Sequence, residues 1–320
     1  MLYDLKIRFR LLSDDPNEPT VRHRCLSLLP EFKRRGMNVD VWDGYENADV
    51  IVLQYTPTDA KKVSRHCDYI IADVNDAVFL PTHPAAKLFG ETAEEIDYWA
   101  TGSQRIAEHL SDKINPHCVS YMPEIVDTMY KDVQSNCDDN TPVIMSMGLA
   151  DNIIFINPVV PVLNKLSRNF KFKMNLVYPE SIDDNTRTVS KLVKANFPVK
   201  FVHWTKKSVV DTLKISNIGI APQYINEWCR CKSPNRAAVY AWCGLGLITQ
   251  DIESYHEIIT QGKSGMLAST ADGWEQSFIA MFDKEKRISM AAEAQAIVRK
   301  RFTPFSIVDE WESILKQVIL

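Results

Sequence analysis

The sequence predicts two α/β domains, each a parallel sheet with helices on both faces. Three observations lead there. Short apolar runs, such as residues 49–54 (DVIVLQ), 68–73 (DYIIAD) and 218–221 (IGIA), alternate with stretches of helical period, which is the pattern of repeated β-α-β units. The chain has 320 residues, too many for one typical domain and enough for two of about 150 each. Residues 132–142 (DVQSNCDDNTP) are polar and lack an apolar period, so they read as a linker. The expected division is residues 1–138, residues 139–303 and a final helical segment, residues 304–320.

The elements follow in order. Residues 3–12 alternate and then turn apolar, as a first strand does. Thr20 stands ready to cap a helix over residues 21–35, which Gly36 stops. Strands are expected over residues 38–42, 49–54 and 68–73, with a short helix at 60–65, and the fourth strand ends in the acidic loop Asp73-Val74-Asn75-Asp76. A strand at 99–102, a helix capped by Ser103 over 104–113 and a strand at 117–122 complete the first set. The second set opens with a strand at 142–147 and Gly148, then a helix at 158–168 and a strand at 172–178. A helix from Ser181 to Ala195, a strand at 199–204 and a helix at 207–215 follow. The strand at 218–221 ends at Pro222, and Ser233-Pro234 is expected to open a helix that Gly244 ends. Serine favours the N-cap and proline the first helical turn. Helices at 274–282, 286–300 and 304–320 close the chain, the last with Ile307, Trp311, Ile314, Leu315 and Val318 on one face.

Composition narrows the function. Apolar residues make up 45% and charged residues 24%, as in soluble globular proteins. The N-terminal MLYDLKIRFRLL has charges inside its apolar run, so it reads as a strand and not as a signal peptide. A cytoplasmic protein is expected, and peripheral contact with a membrane surface stays open. The seven cysteines are odd in number and irregular in spacing, which favours reduced thiols. Cys229-x-Cys231 with Cys243 lacks the spacing of a zinc knuckle and has no obvious fourth ligand, so no metal site is expected. Net charge is −4 overall, divided as −9 over residues 1–140 and +5 over residues 141–320. That asymmetry suits an anionic ligand held by the C-terminal half, and weighs against broad nucleic-acid binding.

The region 217–268 concentrates the chemistry. A helix N-terminus at the carboxyl edge of a parallel sheet offers unpaired N–H groups to a phosphate, and Arg230, Lys232 and Arg236 crowd that point. Each also reads as a solvated surface cation.

The same region resembles the donor-binding half of GT-B glycosyltransferases of family 4, the group 1 glycosyl transferases. The matching residues are Pro222, Lys232-Ser233-Pro234-Asn235-Arg236, Tyr240-Ala241, Gly244 and Gly262-x-x-Gly265-x-Leu267. Val202-His203-Trp204 is similar to the family's segment beside the base, and Arg22-x-Arg24 ahead of Gly36 is similar to its N-terminal pattern. Residues 72–79 (ADVNDAVF) and the pair ATGSQRIAEHL and PEIVDT resemble further family segments. The resemblance implies two Rossmann-like domains facing across a cleft, with the last helix returning to the N-terminal domain. It also implies a retaining, metal-independent transfer of sugar from a nucleotide-diphosphate donor, with no further cofactor.

By this resemblance Lys232, Arg236, Asp76 and His83 are the candidate catalytic residues. Gly148, Trp204, Arg230, Ser233, Pro234, Asn235 and Glu257 would hold the donor. Arg22, Arg24, Asp73 and Asn75 would hold the acceptor, on a glycan or glycolipid. The departure is Val239, which stands where the family usually has a glutamate that accepts from the ribose hydroxyls. Three other readings stay open: transfer to modified bases of viral DNA, favoured by Arg22, Arg24, Lys33, Arg34 and Arg35 on one segment; a sugar-nucleotide epimerase; and a non-catalytic binding protein. No obligate protein partner is implied.

Overall fold

Runs rich in Val, Ile and Ala that are apolar on both faces form strands buried between helices. Residues 2–55, 59–135, 141–179 and 194–319 are described by a computed structural model. Contacts divide the chain into two units: residues 1–127, 226–233 and 301–320, and residues 128–225 and 234–300.

Among the described residues, unit 1 holds a six-stranded parallel sheet: β1 (Lys6–Arg10), β2 (Asn38–Val41), β3 (Ala48–Gln54), β4 (Cys67–Val74), β5 (Tyr98–Thr101) and β6 (Val119–Tyr121), in the order β2-β1-β3-β4-β5-β6. Its core joins Phe9, Val50, Val52 and Ile71 to Phe32 and to Ile307, Trp311, Ile314 and Leu315. Those last four lie on the Pro304–Ile319 helix, which therefore packs within unit 1. Trp311 meets Phe9 edge-on, with ring centroids 5.5 Å apart.

The helix expected over residues 21–35 is broken into an α turn at Pro19–Val21, a π-helical run at Arg22–Leu26 and an α-helix at Leu29–Arg34. Thr20 is not its cap; Glu18 caps the first turn, accepting from Thr20 N. Pro30 removes an amide from the middle of the stretch, and Arg22 and Arg24 leave the helix surface for buried carboxylates, as described below.

Unit 2 holds a second six-stranded parallel sheet: β7 (Val143–Met147), β8 (Lys173–Tyr178), β9 (Val199–His203), β10 (Ile218–Ala221), β11 (Gly246–Gln250) and β12 (Met266–Ala268), in the order β12-β11-β10-β7-β8-β9. This is a doubly wound order, and the strand sequence reverses between β7 and β10. Ligands of such sheets bind outside the carboxyl ends of the strands at that switch point. The expected helix from Ser181 to Ala195 falls almost wholly outside the described residues, as does the centre of the polar stretch at 136–140.

The helix beside the switch point runs from Asn235 to Trp242. Its C-terminus follows the expectation: Gly244 has φ +78°, and Leu245 N donates to Tyr240 O (3.0 Å) while Gly244 N donates to Ala241 O (2.9 Å), a Schellman closure. Its N-terminus does not. Pro234 occupies the cap position without a side-chain hydrogen bond, and Ser233 Oγ instead donates to Glu124 Oε2 (3.1 Å).

Tyr240 locks this helix to the sheet. It is fully buried, and its hydroxyl accepts from Met147 N at 2.9 Å. Its ring lies directly over Gly219 in β10, so that a Cβ at Gly219 would overlap the ring carbons. Gly219→Ala is therefore expected to destabilise unit 2 by about 1–3 kcal/mol through overpacking, read as a lower denaturation midpoint. An unchanged midpoint would contradict the packing described.

Candidate functional site

The carboxyl edge of unit 2 gathers a cation and three tyrosines. Arg236 lies in the first turn of the Asn235–Trp242 helix. Around it stand Tyr178 at the end of β8, Tyr240 on the same helix and Tyr255 after β11, all buried. Burial works against the charge of the Arg236 guanidinium and the facing hydroxyls of Tyr255, Tyr240 and Tyr178 raise its pKa on balance; an arginine is cationic at pH 7 in any case. Burial in turn pushes the hydroxyls of Tyr178 and Tyr240 up from their ordinary value, so both are neutral donors and acceptors at pH 7. Gln223 Nε2 donates to Tyr255 Oη at 2.7 Å, tying the loop after β10 to this cradle. Gly148 directly follows β7. Asn235 and Trp204 are half-buried, and Trp204 N donates to Tyr178 O. Glu257 is half-buried at the end of the 3-10 turn Glu253–Glu257. Val239 is in the core, 2% exposed, so no ribose contact comes from that position.

The carboxyl edge of unit 1 carries carboxylates and amides. Asp73 is fully buried and bound by both Nε and Nη2 of Arg24, with Nε at 2.8 and 2.9 Å. Arg24 also donates to Met122 O (3.1 Å). Burial pushes the Asp73 carboxyl up and Arg24 draws it back. Both residues were expected at the acceptor; instead they brace each other inside the unit. Arg22 is likewise engaged, its Nε donating to Asp127 Oδ2 at 2.7 Å.

Asn75 and Asp76 stand one and two residues beyond β4. Asn75 Nδ2 donates to Thr20 Oγ1 (2.9 Å) and Glu124 Oε1 (3.5 Å), while its buried Oδ1 has no partner. Gly102 makes this approach possible: a Cβ there would lie 2.8 Å from Asn75 Cα. On the neighbouring β3, the buried Gln54 Nε2 is also without a partner. Asp76 forms an ion pair with Lys232. Burial raises the Asp76 carboxyl from its ordinary value, Lys232 lowers it and Glu124 raises it.

Lys232 reaches Asp76 because Asn226–Ser233 belongs to unit 1, although its neighbours in sequence belong to unit 2. The segment contains the short helix Glu227–Arg230, capped by Asn226. Trp228 is its anchor: His83 stacks on the indole at 5.4 Å and 6°, and Lys232 Nζ lies 4.6 Å from its ring centre. Arg230 sits 3.7 Å from Glu227. The fold thus gathers Asp76, His83, Lys232 and Ser233 in unit 1, and Gly148, Arg236 and Asn235 in unit 2. Sequence reasoning missed Glu124, Trp228, Gln223, Tyr178 and Tyr255, and had Tyr240 only as part of the resemblance. The PEIVDT motif offered a signal for Glu124; the others carry none at short range.

No family model matches the sequence, and neither does any curated protein. Solved structures do match. The chain has the GT-B fold. It is similar to HepE of Anabaena, solved with UDP and glucose, at TM-score 0.72 and 13% identity, covering 98% of this chain and 99% of that one. It is similar to a glycosyltransferase from Rickettsia africae at TM-score 0.65 and 14% identity, covering 97% and 84%. It is also similar to TarM, at TM-score 0.65 and 11% identity, covering 83% of this chain and 54% of TarM, so it spans about half the length of that protein. Two parallel six-stranded sheets and a final helix on the first of them account for the likeness. Among the described residues no helix is long and apolar enough to cross a membrane.

Proposed function

We propose that this protein is a glycosyltransferase that moves a sugar from a uridine-diphosphate donor to an acceptor hydroxyl. The observation that carries the reading is Arg236, a cation in the first turn of a helix and set among three tyrosines at the carboxyl edge of a doubly wound sheet. Breaking the anomeric C–O bond leaves charge on the departing diphosphate, and a preorganised cation with helix N–H groups stabilises that charge as it develops. Arg236 and the amides of the Asn235–Trp242 helix supply both, with Gly148 allowing close approach of the backbone. Lys232, in unit 1, is a second candidate cation, and in the described arrangement Asp76 neutralises it. Protein cations thus take the part a metal ion plays in other transferases. Uridine as the base is supported by the UDP recorded in HepE. Retention of configuration rests on the family resemblance.

On unit 1, Asn75, Gln54, Glu124 and Asp76 offer hydrogen-bond donors and acceptors for a polyhydroxylated acceptor, with Asp76 the group to receive its proton. A glycan or glycolipid fits that lining. A DNA acceptor fits less well, because the basic segment is internally neutralised: Arg22 pairs with Asp127, Arg24 with Asp73, Lys33 with Asp40, and Arg34 and Arg35 with Glu31. A cytoplasmic location accords with the nucleotide-sugar donor.

Lys232→Ala is expected to lower sugar release from a UDP-hexose panel by about 10²-fold or more, the loss typical of one preorganised charge-stabilising donor. Equal turnover in that variant would remove Lys232 from the chemistry. Absence of turnover by the unaltered protein, with no binding of any nucleotide diphosphate, would favour the non-catalytic reading.

A further inference from the structure

The Asn226–Ser233 segment is held to unit 1 by side chains with the donor chemistry of a metal site. His109 Nε2 lies 2.7 Å from Glu227 Oε1. The ligand atoms of His109, Glu227 and Cys231 all lie within 4.8 Å of one another. Donors bound tetrahedrally to zinc at about 2.0–2.3 Å stand roughly 3.5 Å apart, a separation that the observed spacing brackets. Small side-chain rotations are enough to bring all three onto one ion.

The backbone prepares the arrangement. Glu227 and Cys231 are one helical turn apart, with Cys231 N donating to Glu227 O at 3.2 Å, which sets both on one side of the segment. Ser103 Oγ donates to Cys231 O at 2.7 Å and fixes the cysteine backbone. His109 projects from the Gln104–Ser111 helix that Ser103 caps. Arg105 Nε donates to Glu227 Oε1 at 2.8 Å, the outer-shell support that metal-binding carboxylates commonly have. Arg230 comes no nearer than 3.7 Å to Oε2, so that oxygen is open to an ion.

We propose that His109, Glu227 and Cys231 bind a zinc ion that fastens the Asn226–Ser233 segment to unit 1. A thiolate with an imidazole selects zinc over magnesium or calcium. Cys231 is fully buried among Ala72, Val74, Trp99 and Ile106, while His109 and Glu227 are half-buried, so water completes the fourth position. Binding releases the Cys231 thiol proton to solvent. The ion holds Trp228 against His83 and Lys232 beside Asp76.

The test uses the full chain, stripped with chelator and titrated with cobalt(II) and then zinc. One tightly held cobalt per chain is expected, with a thiolate-to-cobalt charge-transfer band that zinc abolishes. Cys231→Ser is expected to lose the band, and His109→Gln to weaken zinc binding by about tenfold or more. Zinc is expected to raise the melting temperature of the unaltered chain and not that of Cys231→Ser. A chain that shows no charge-transfer band and no zinc-dependent stabilisation overturns the proposal, and so does a band that persists in Cys231→Ser. Because these readouts need no sugar donor, they are independent of the transferase reading.

Discussion

Arg236→Ala is expected to lower kcat/KM for sugar transfer by about 10²–10³-fold while leaving unit 2 folded. Arg236 sits where a leaving diphosphate would meet the helix N-terminus, and the hydroxyls of Tyr255, Tyr240 and Tyr178 face it. A lysine at this position keeps the charge and loses the planar fork, so Arg236→Lys is expected to recover part of the loss, mainly in kcat. Tyr255→Phe should act in the same direction with a smaller effect, because it removes the hydroxyl that Gln223 also holds. A full-rate Arg236→Ala enzyme would show that the diphosphate binds elsewhere.

Asp73→Ala is expected to destabilise unit 1 by about 3–5 kcal/mol. Asp73 and Arg24 are 0% and 2% exposed. Removing the carboxylate strands a guanidinium in the core, and an arginine cannot discharge itself by losing a proton. The loss should appear as a lower denaturant midpoint. Replacing both residues by apolar groups of similar volume should recover much of it, since an apolar pair escapes the desolvation cost of the ions. A single variant as stable as the parent would mean that water reaches the Arg24 site.

The sheets were legible because their strands are apolar on both faces and bounded by glycine, proline and acidic turns, signals contained within a few residues. Gly244 belongs to the same class: a helix C-terminus writes its requirement for positive φ into one position. The final helix showed its apolar stripe, and packing within unit 1 was implied by family resemblance. What stayed hidden depends on distant partners. Ser233 has the chemistry of an N-cap, yet its hydroxyl finds Glu124, 109 residues away. The Arg22–Leu26 stretch has a helical period but opens into a π-helix, with Arg22 and Arg24 paired to Asp127 and Asp73. Of the tyrosines around Arg236, Tyr178 and Tyr255 come from separate segments and carry no signal of their own in the sequence. Segment 226–233 lies within the expected second domain, and only the fold shows its Cys231 buried and its Trp228 half-buried against the first unit's side chains.

Calorimetric titration of the full chain with UDP, in parallel with Arg236→Ala, tests the central claim most directly. A single site is expected in the unaltered protein, weakened by about tenfold or more in the variant, because a charge-assisted hydrogen bond to phosphate contributes about 1.5–3 kcal/mol. Equal affinity in the two proteins, or no heat with UDP or any other nucleotide diphosphate, would contradict the assignment of unit 2 as the donor-binding half.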